Sequence, residues 1–236
     1  MIKIYGKNCV YAAILADSNL STVYLSEDVA KADKKIIDIL KDREIKYTIL
    51  PKKKLDMEFP FQNQGYAAYR ENYTILDEEF LDKLPKENGR VVILDGIQDP
   101  HNLGAILRSV DAFGYDLVIL PKNRSVSVNE TVAHVSTGAI EYTNIMYVNS
   151  LNNIVEKLKK IGYWICGTDA KGTVLASEID KSLNLAIIIG SEGFGMSKTL
   201  VNASDYLIKI PMKGHVNSLN ASVSSGIVLH DLMINE

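Results

Sequence analysis

The sequence predicts an α/β protein: a carboxyl-terminal domain built on a doubly wound parallel sheet, preceded by a small amino-terminal α/β domain. Three observations carry this. Compact apolar runs recur at Val91–Leu94, Leu117–Leu120, Ile145–Val148, Tyr163–Cys166, Leu185–Ile189 and Tyr206–Ile210, as in strands buried on both faces of a parallel sheet. Helical patterns lie between them. A third observation is charge: Glu71 to Gly89 holds 2 basic and 6 acidic side chains, contains a proline and ends in Asn-Gly, the composition of a linker with one short helix.

The elements follow in order. Asn8 suits the start of a helix through Leu15, Thr22–Leu25 reads as a strand, and Lys34–Arg43 places Ile36, Ile37 and Leu40 on one helical face. Tyr47–Leu50 is another strand. The triplet Lys52–Lys54 follows it, read either as a solvated turn or as a contact for RNA phosphates. This gives residues 1–72 as one domain, 73–89 as linker and 90–236 as the second domain. In the latter, Leu103, Ile106, Leu107, Val110 and Phe113 recur at helical spacing and stop at Gly114, while Leu151–Ile161 and Leu219–Met233 repeat the period.

The 236 residues carry 26 Lys plus Arg against 29 Asp plus Glu, a formal charge of −3, which disfavours indiscriminate coating of nucleic acid. Residues 1–70, with 12 basic and 9 acidic side chains, are locally basic. No apolar run approaches the roughly 20 residues of a membrane span, and the first residues lack the apolar stretch of a signal peptide, so a cytoplasmic protein is expected. Cys9 and Cys166 stand 157 residues apart without a Cys/His cluster, and the four histidines are scattered. Reduced thiols and no metal are expected.

Ligands of open parallel sheets bind at the carboxyl ends of strands, and three loops there are unusual. Asp95-Gly-Ile-Gln-Asp-Pro-His-Asn102 is dense in hydrogen-bonding groups and leads into the helix carrying Arg108. Six helical positions turn the chain by about 600°, so Asn102 and Arg108 share a site only if Asn102 sits at the loop–helix junction and the long Arg108 side chain leans back toward the helix N-terminus. Arg108 as a surface ion-pair partner is the alternative. Gly190-Ser-Glu-Gly-Phe-Gly195 follows the most apolar strand, and its glycine spacing departs from the dinucleotide pattern. Glu192 inside it would repel a pyrophosphate. The third segment, from Ile210-Pro-Met212 through Ser218-Leu-Asn-Ala-Ser222, opens the last helix; Ser218 is a candidate N-cap, yet Asn217, Ser218, Asn220, Ser222, Ser224 and Ser225 exceed what a cap needs.

With these three motifs the sequence resembles the SpoU/TrmH family of RNA ribose 2′-O-methyltransferases, of the SPOUT class. The match runs through Leu94–Arg108, Ile189–Ser197 and Ile210–Ser222, with Ser136-Thr-Gly-Ala139 and Glu141 as a further family segment. Tyr5-Gly-Lys-Asn8 and Leu55 through Gln64-Gly65 look like the substrate-binding domain of the branch acting on a guanosine of large-subunit ribosomal RNA. Asn63 stands where that branch usually has His, and Ala221 where a bulkier aliphatic is common. The resemblance implies a trefoil knot, a homodimer with the active site at its interface, and S-adenosylmethionine as cofactor.

It also implies roles. The catalytic residues fall on Asn102 and Arg108, with Glu192 orienting substrate or stabilising its loop, and with Ser218, Asn220 and Ser222 positioning the ribose or the arginine. A guanidinium with a pKa above about 12 keeps its proton, so Arg108 is expected to grip a phosphate and orient the hydroxyl while phosphate or water takes the proton. Cofactor contacts are implied for Gly190, Ile210, Met212, Ser218 and Leu219, with Thr168 a further candidate. Lys52–Lys54 become candidates for the RNA patch. A tRNA ribose methyltransferase, a non-catalytic RNA-binding protein and a nucleotide-dependent oxidoreductase are the competing readings.

Overall fold

The computed structural model describes residues 1–216 and 218–234; Asn217, counted above among the polar groups of the third segment, lies outside them. In chain order the elements are β1 (Ile2–Tyr5), α1 (Lys7–Leu15), β2 (Leu20–Ser26), α2 (Glu27–Ala32), α3 (Lys34–Asp42), β3 (Tyr47–Leu50), α4 (Lys52–Glu58), β4 (Tyr66–Arg70), β5 (Arg90–Asp95), α5 (Pro100–Ala112), β6 (Leu117–Pro121), α6 (Glu130–Val135), β7 (Ile145–Val148), α7 (Leu151–Lys160), β8 (Tyr163–Thr168), β9 (Asn184–Gly190), α8 (Lys198–Ala203), β10 (Tyr206–Ile208) and α9 (Ala221–Leu232). They form two compact units: Met1–Tyr73 with Val128–Tyr142, and Thr74–Ser127 with Thr143–Glu236.

The first unit holds a four-stranded sheet in the order β1-β4-β2-β3, antiparallel except for the β2/β3 pair. Val128–Tyr142 lies by sequence inside the range expected for the second domain, yet it builds onto this sheet. His134 stacks on Tyr5 with ring centroids 4.3 Å apart, and the Cys9 thiol donates to the Ala133 carbonyl at 3.5 Å. Glu141 is the strongest tie. Its side chain is 2% exposed and accepts from the Ser18 hydroxyl at 2.6 Å, the Tyr73 hydroxyl at 2.9 Å and Arg70 Nη2 at 3.1 Å.

One expectation changes in this unit. Lys52–Lys54 open a helix instead of forming a turn, and Lys52 is engaged with Asp56 and with Asn63 Oδ1 at 2.7 Å, leaving Lys53 and Lys54 exposed. Asn63 is fully buried, accepts from the Gly65 amide at 2.8 Å and donates to Asp56 at 2.7 Å and to the Pro60 carbonyl at 2.8 Å. Asn63 therefore shapes the turn into β4.

In the second unit six strands run parallel in the order β10-β8-β9-β5-β6-β7. Both faces are covered, as the continuous apolar runs require: Val91, Val92, Ile93 and Leu94 are all fully buried. One face packs against Ile154, Val155 and Leu158 of α7 and Leu200 of α8. On the other, α9 lies against β9 and along α5. Arg90, 1% exposed at the start of β5, donates to four backbone carbonyls: Leu232 at 2.9 Å, Gly89 at 3.0 Å, Leu183 at 2.7 Å and Lys181 at 2.5 Å. It thereby fastens the end of α9 to the centre of the sheet.

The stretch expected as a linker packs onto this unit. The Leu76 amide donates to the Ile145 carbonyl at 2.9 Å, and Leu81 and Leu84 are buried in the same core as β5 and α7. Acidic side chains between the leucines face outward, so the local composition reads as linker while the apolar positions are anchored. Burial pushes the thiol of Cys9 up to about 11, aided by Glu141, and that of Cys166 up to about 12, aided by Asp205. Both stay neutral at physiological pH. No helix among the described residues is long and apolar enough to cross a membrane.

Candidate functional site

Neighbouring strands bring the first two unusual loops together. β5 and β9 pair with Asp95 opposite Gly190, so both loops leave the sheet side by side. Asp95 then accepts from the Ser197 amide at 2.8 Å, tying the start of one loop to the end of the other. A Cβ at Gly190 would lie 2.3 Å from the Gly195 carbonyl carbon, so only glycine lets the second loop fold back on its own strand. In the first loop Asp99 caps α5 by accepting from the His101 amide at 2.9 Å, with Pro100 opening the helix. Asn102 is consequently held in the first turn and is 8% exposed.

The third segment closes on these two. Asn220, not Ser218, is the N-cap of α9: its Oδ1 accepts from the amides of Ser222 at 2.9 Å and Val223 at 3.3 Å and from the Ser222 hydroxyl at 2.6 Å. Both residue types cap well; position decides, because the Asn220 amide nitrogen also donates to Asn102 Oδ1 at 3.0 Å and to Glu192 Oε1. Glu192 Oε1 accepts further from Asn102 Nδ2 at 3.3 Å and from the Ala221 amide at 3.1 Å. One carboxylate oxygen thus gathers both asparagines at the positive end of α9, where a negative charge is favoured.

Beside this cluster lies a cavity of about 640 Å³. Thr168, Gly190, Ile210, Met212, Ser218 and Leu219, each singled out in the sequence, all line it, as does Glu192. The Thr168 hydroxyl is turned to the Ile188 carbonyl at 3.0 Å. Asn102 reaches the cavity only through Glu192. Arg108 does not join: it is exposed, six residues along α5 from Asn102, as the angular separation on a helix foretells. Sequence reasoning missed Asp169, Ala170 and Lys171 in the lining, and Phe194. The polar run after β8 was the available signal for the first three, since it too follows the carboxyl end of a parallel strand. The described residues contain no group of three or more His, Cys, Asp or Glu able to hold a metal ion.

Comparison with known proteins finds relatives for both parts of the chain. Residues 89–230 match the model of the SpoU rRNA methylase family, and residues 3–76 that of an RNA 2′-O ribose methyltransferase substrate-binding domain. A relative in Staphylococcus aureus (strain COL), assigned to the TrmH family of tRNA/rRNA methyltransferases, is 41% identical over 97% of this chain and 94% of its own length. Among solved structures, the SpoU methyltransferase AviRb from Streptomyces viridochromogenes, in complex with AdoMet, superimposes with a TM-score of 0.81 at 22% identity, over 98% of this chain and 88% of its own. An AdoMet-bound rRNA methyltransferase from Sinorhizobium meliloti gives 0.79 at 22% identity, over 98% and 86%.

Proposed function

The chain belongs to the SpoU/TrmH family of RNA methyltransferases, and from that premise we propose that it methylates a ribose 2′-hydroxyl, at a guanosine of large-subunit ribosomal RNA, using S-adenosylmethionine. The carrying observation is the cluster of Asn102, Glu192 and Asn220 at the edge of the cavity. Its size falls in the range of about 300–1,000 Å³ typical of small-molecule sites.

The lining suits the cofactor. Ile189, Ile208, Ile210 and Leu219 offer aliphatic walls, while the glycines of the 190–195 loop leave main-chain groups open to an uncharged adenine. Thr168, Gly190, Ile210, Met212, Ser218 and Leu219 are the residues that would hold it. When bound, it supplies a methyl group on a sulfonium. The chain's part is to orient a poor nucleophile and help it lose a proton. Arg108 grips the phosphate beside the target ribose, Asn102 and Asn220 orient the hydroxyl, and Glu192 fixes both amides.

A homodimer and the trefoil knot belong to the same proposal. In support of the dimer, Val223 and Ile227 on α9 are 50% and 38% exposed, beside a groove of about 540 Å³ that Phe113 and His230 also line. A site shared between two copies is consistent with Arg108 standing apart from the cluster within one chain. On the first unit, Lys53 and Lys54 are the lysines of the triplet open to RNA.

The test is transfer of tritiated methyl groups from S-adenosylmethionine to unmodified large-subunit ribosomal RNA and, separately, to tRNA. Incorporation at a ribosomal guanosine ribose is expected, with Arg108→Lys slowing single turnover by about 10²-fold at saturating RNA. Label confined to tRNA would move the substrate to that class, and RNA binding without transfer would leave a non-catalytic binder.

A further inference from the structure

Phe194 is the most exposed of the large apolar side chains among the described residues, at 94%. Its position is not that of a loose loop tip. Ser191 and Gly195 exchange both backbone hydrogen bonds, at 3.1 and 2.9 Å, closing the turn beneath it. Gly193 and Gly195, with φ of 81° and 66°, hold a backbone shape that side-chain-bearing residues rarely adopt. Two residues earlier, Glu192 is tied to Asn102, Asn220 and the Ala221 amide. The ring is therefore presented from a fixed base at the lip of the cavity, which it helps to line, and no described side chain covers it.

A planar apolar face held in water at the mouth of a site needs a planar partner. The apolar cavity walls Ile189, Ile208, Ile210 and Leu219 are buried or half-buried by their own fold; Phe194 is not. Two planar groups would come to this site: the cofactor's adenine, for which the recessed aliphatic walls are already assigned, and a nucleobase of the RNA, which must leave its stack for the ribose to reach a recessed site. Aromatic side chains hold unstacked bases through their faces. Resting on the function proposed above, we propose that Phe194 is a positioning residue: a platform on which the base of the target nucleotide stacks, setting its ribose over the Asn102–Glu192–Asn220 cluster.

Wild type, Phe194→Trp, Phe194→Leu and Phe194→Ala are compared for methyl transfer to unmodified large-subunit ribosomal RNA and to tRNA. S-Adenosylmethionine titration and sedimentation run alongside. Loss of the ring in the Leu and Ala variants is expected to raise KM for RNA about ten- to a hundredfold, with cofactor affinity and sedimentation unchanged, and Trp is expected to rescue. Leucine performing like wild type would overturn the proposal, since bulk alone would then suffice. A parallel loss of cofactor affinity would assign the ring to the cofactor wall, and a smaller sedimenting species to a subunit contact; either result ends the platform role. Wild type transferring to neither RNA would instead bring down the underlying function.

Discussion

Each unit buries one arginine near the point where distant chain segments meet, and the two are satisfied in opposite ways. Arg90 of the second unit spends its donors on four neutral carbonyls. Arg70 of the first pairs with the Glu141 carboxylate and lies 3.6 Å from the Tyr73 ring centre, with its Nε lacking any hydrogen-bond partner among the described residues. Carbonyls cannot be removed by mutation, whereas a carboxylate can. The second unit's lock therefore has one vulnerable residue and the first unit's lock has two, which can be exchanged together.

The largest effect is expected at Arg90. Replacing it with Met strands the carbonyls of Lys181, Leu183 and Leu232, at about 1–3 kcal/mol for each that water cannot reach, while the Gly89 carbonyl keeps the Leu185 amide at 2.9 Å. A loss of about 5 kcal/mol in urea unfolding is expected, and no second substitution nearby restores it. A loss under about 1 kcal/mol would show that the four bonds do not hold α9. Next comes Glu141→Gln, which leaves the Arg70 charge buried without its partner and is expected to cost about 3 kcal/mol. The paired change Arg70→Met with Glu141→Gln should recover most of it, since the unpaired charge is then gone while the glutamine keeps an acceptor for the Ser18 and Tyr73 hydroxyls. Failure of the double variant to recover would erase the contrast between the two locks.

The smallest effect is one of pH. Burial pushes the Asp33 carboxyl up, but the hydroxyls of Tyr66 and Tyr11, at 2.7 and 2.9 Å, and the Lys7 ammonium outweigh it and hold the pKa below its ordinary value. A carboxylate depressed in the folded state adds stability that is complete above its unfolded pKa and is lost as pH falls through the folded one. Thermal unfolding from pH 6 down to pH 3 should show this loss, and Asp33→Asn should flatten it. The four hydrogen bonds of the Arg90 guanidinium, all to carbonyls, involve no such acid-sensitive group. An equally steep acid dependence in the Asp33→Asn variant would place the titrating group elsewhere.

Much of the second unit was legible because its strands are apolar without interruption and its three loops stand at strand ends, where polar and glycine residues have no structural excuse. The lining residues Gly190, Ile210 and Leu219 were named from the family resemblance that those loops carry. Other features left no mark in sequence. Glu141 sits in a stretch flanked on both sides by second-unit chain, and nothing local says that its partners are Ser18, Arg70 and Tyr73. Leu81 and Leu84 were hidden by the acidic residues around them. Arg90 reads as the charged boundary of a strand, because the carbonyls that surround it come from positions 89 to 232. Asn220 and Ser218 are both good caps, and only Glu192, 28 residues away, chooses between them.

The fastening of α9 by Arg90 has a consequence in time as well as space. Chains fold as they emerge from the ribosome, at roughly 5–20 residues per second, amino-terminal parts first. The first unit's sheet can pair early, but the Asn102–Glu192–Asn220 cluster waits for Asn220, and its helix waits for the Leu232 carbonyl to reach a guanidinium made about 140 residues before. A nascent chain can therefore complete its first unit, Met1–Tyr73 with Val128–Tyr142, before the residues that close the Asn102–Glu192–Asn220 cluster have been made.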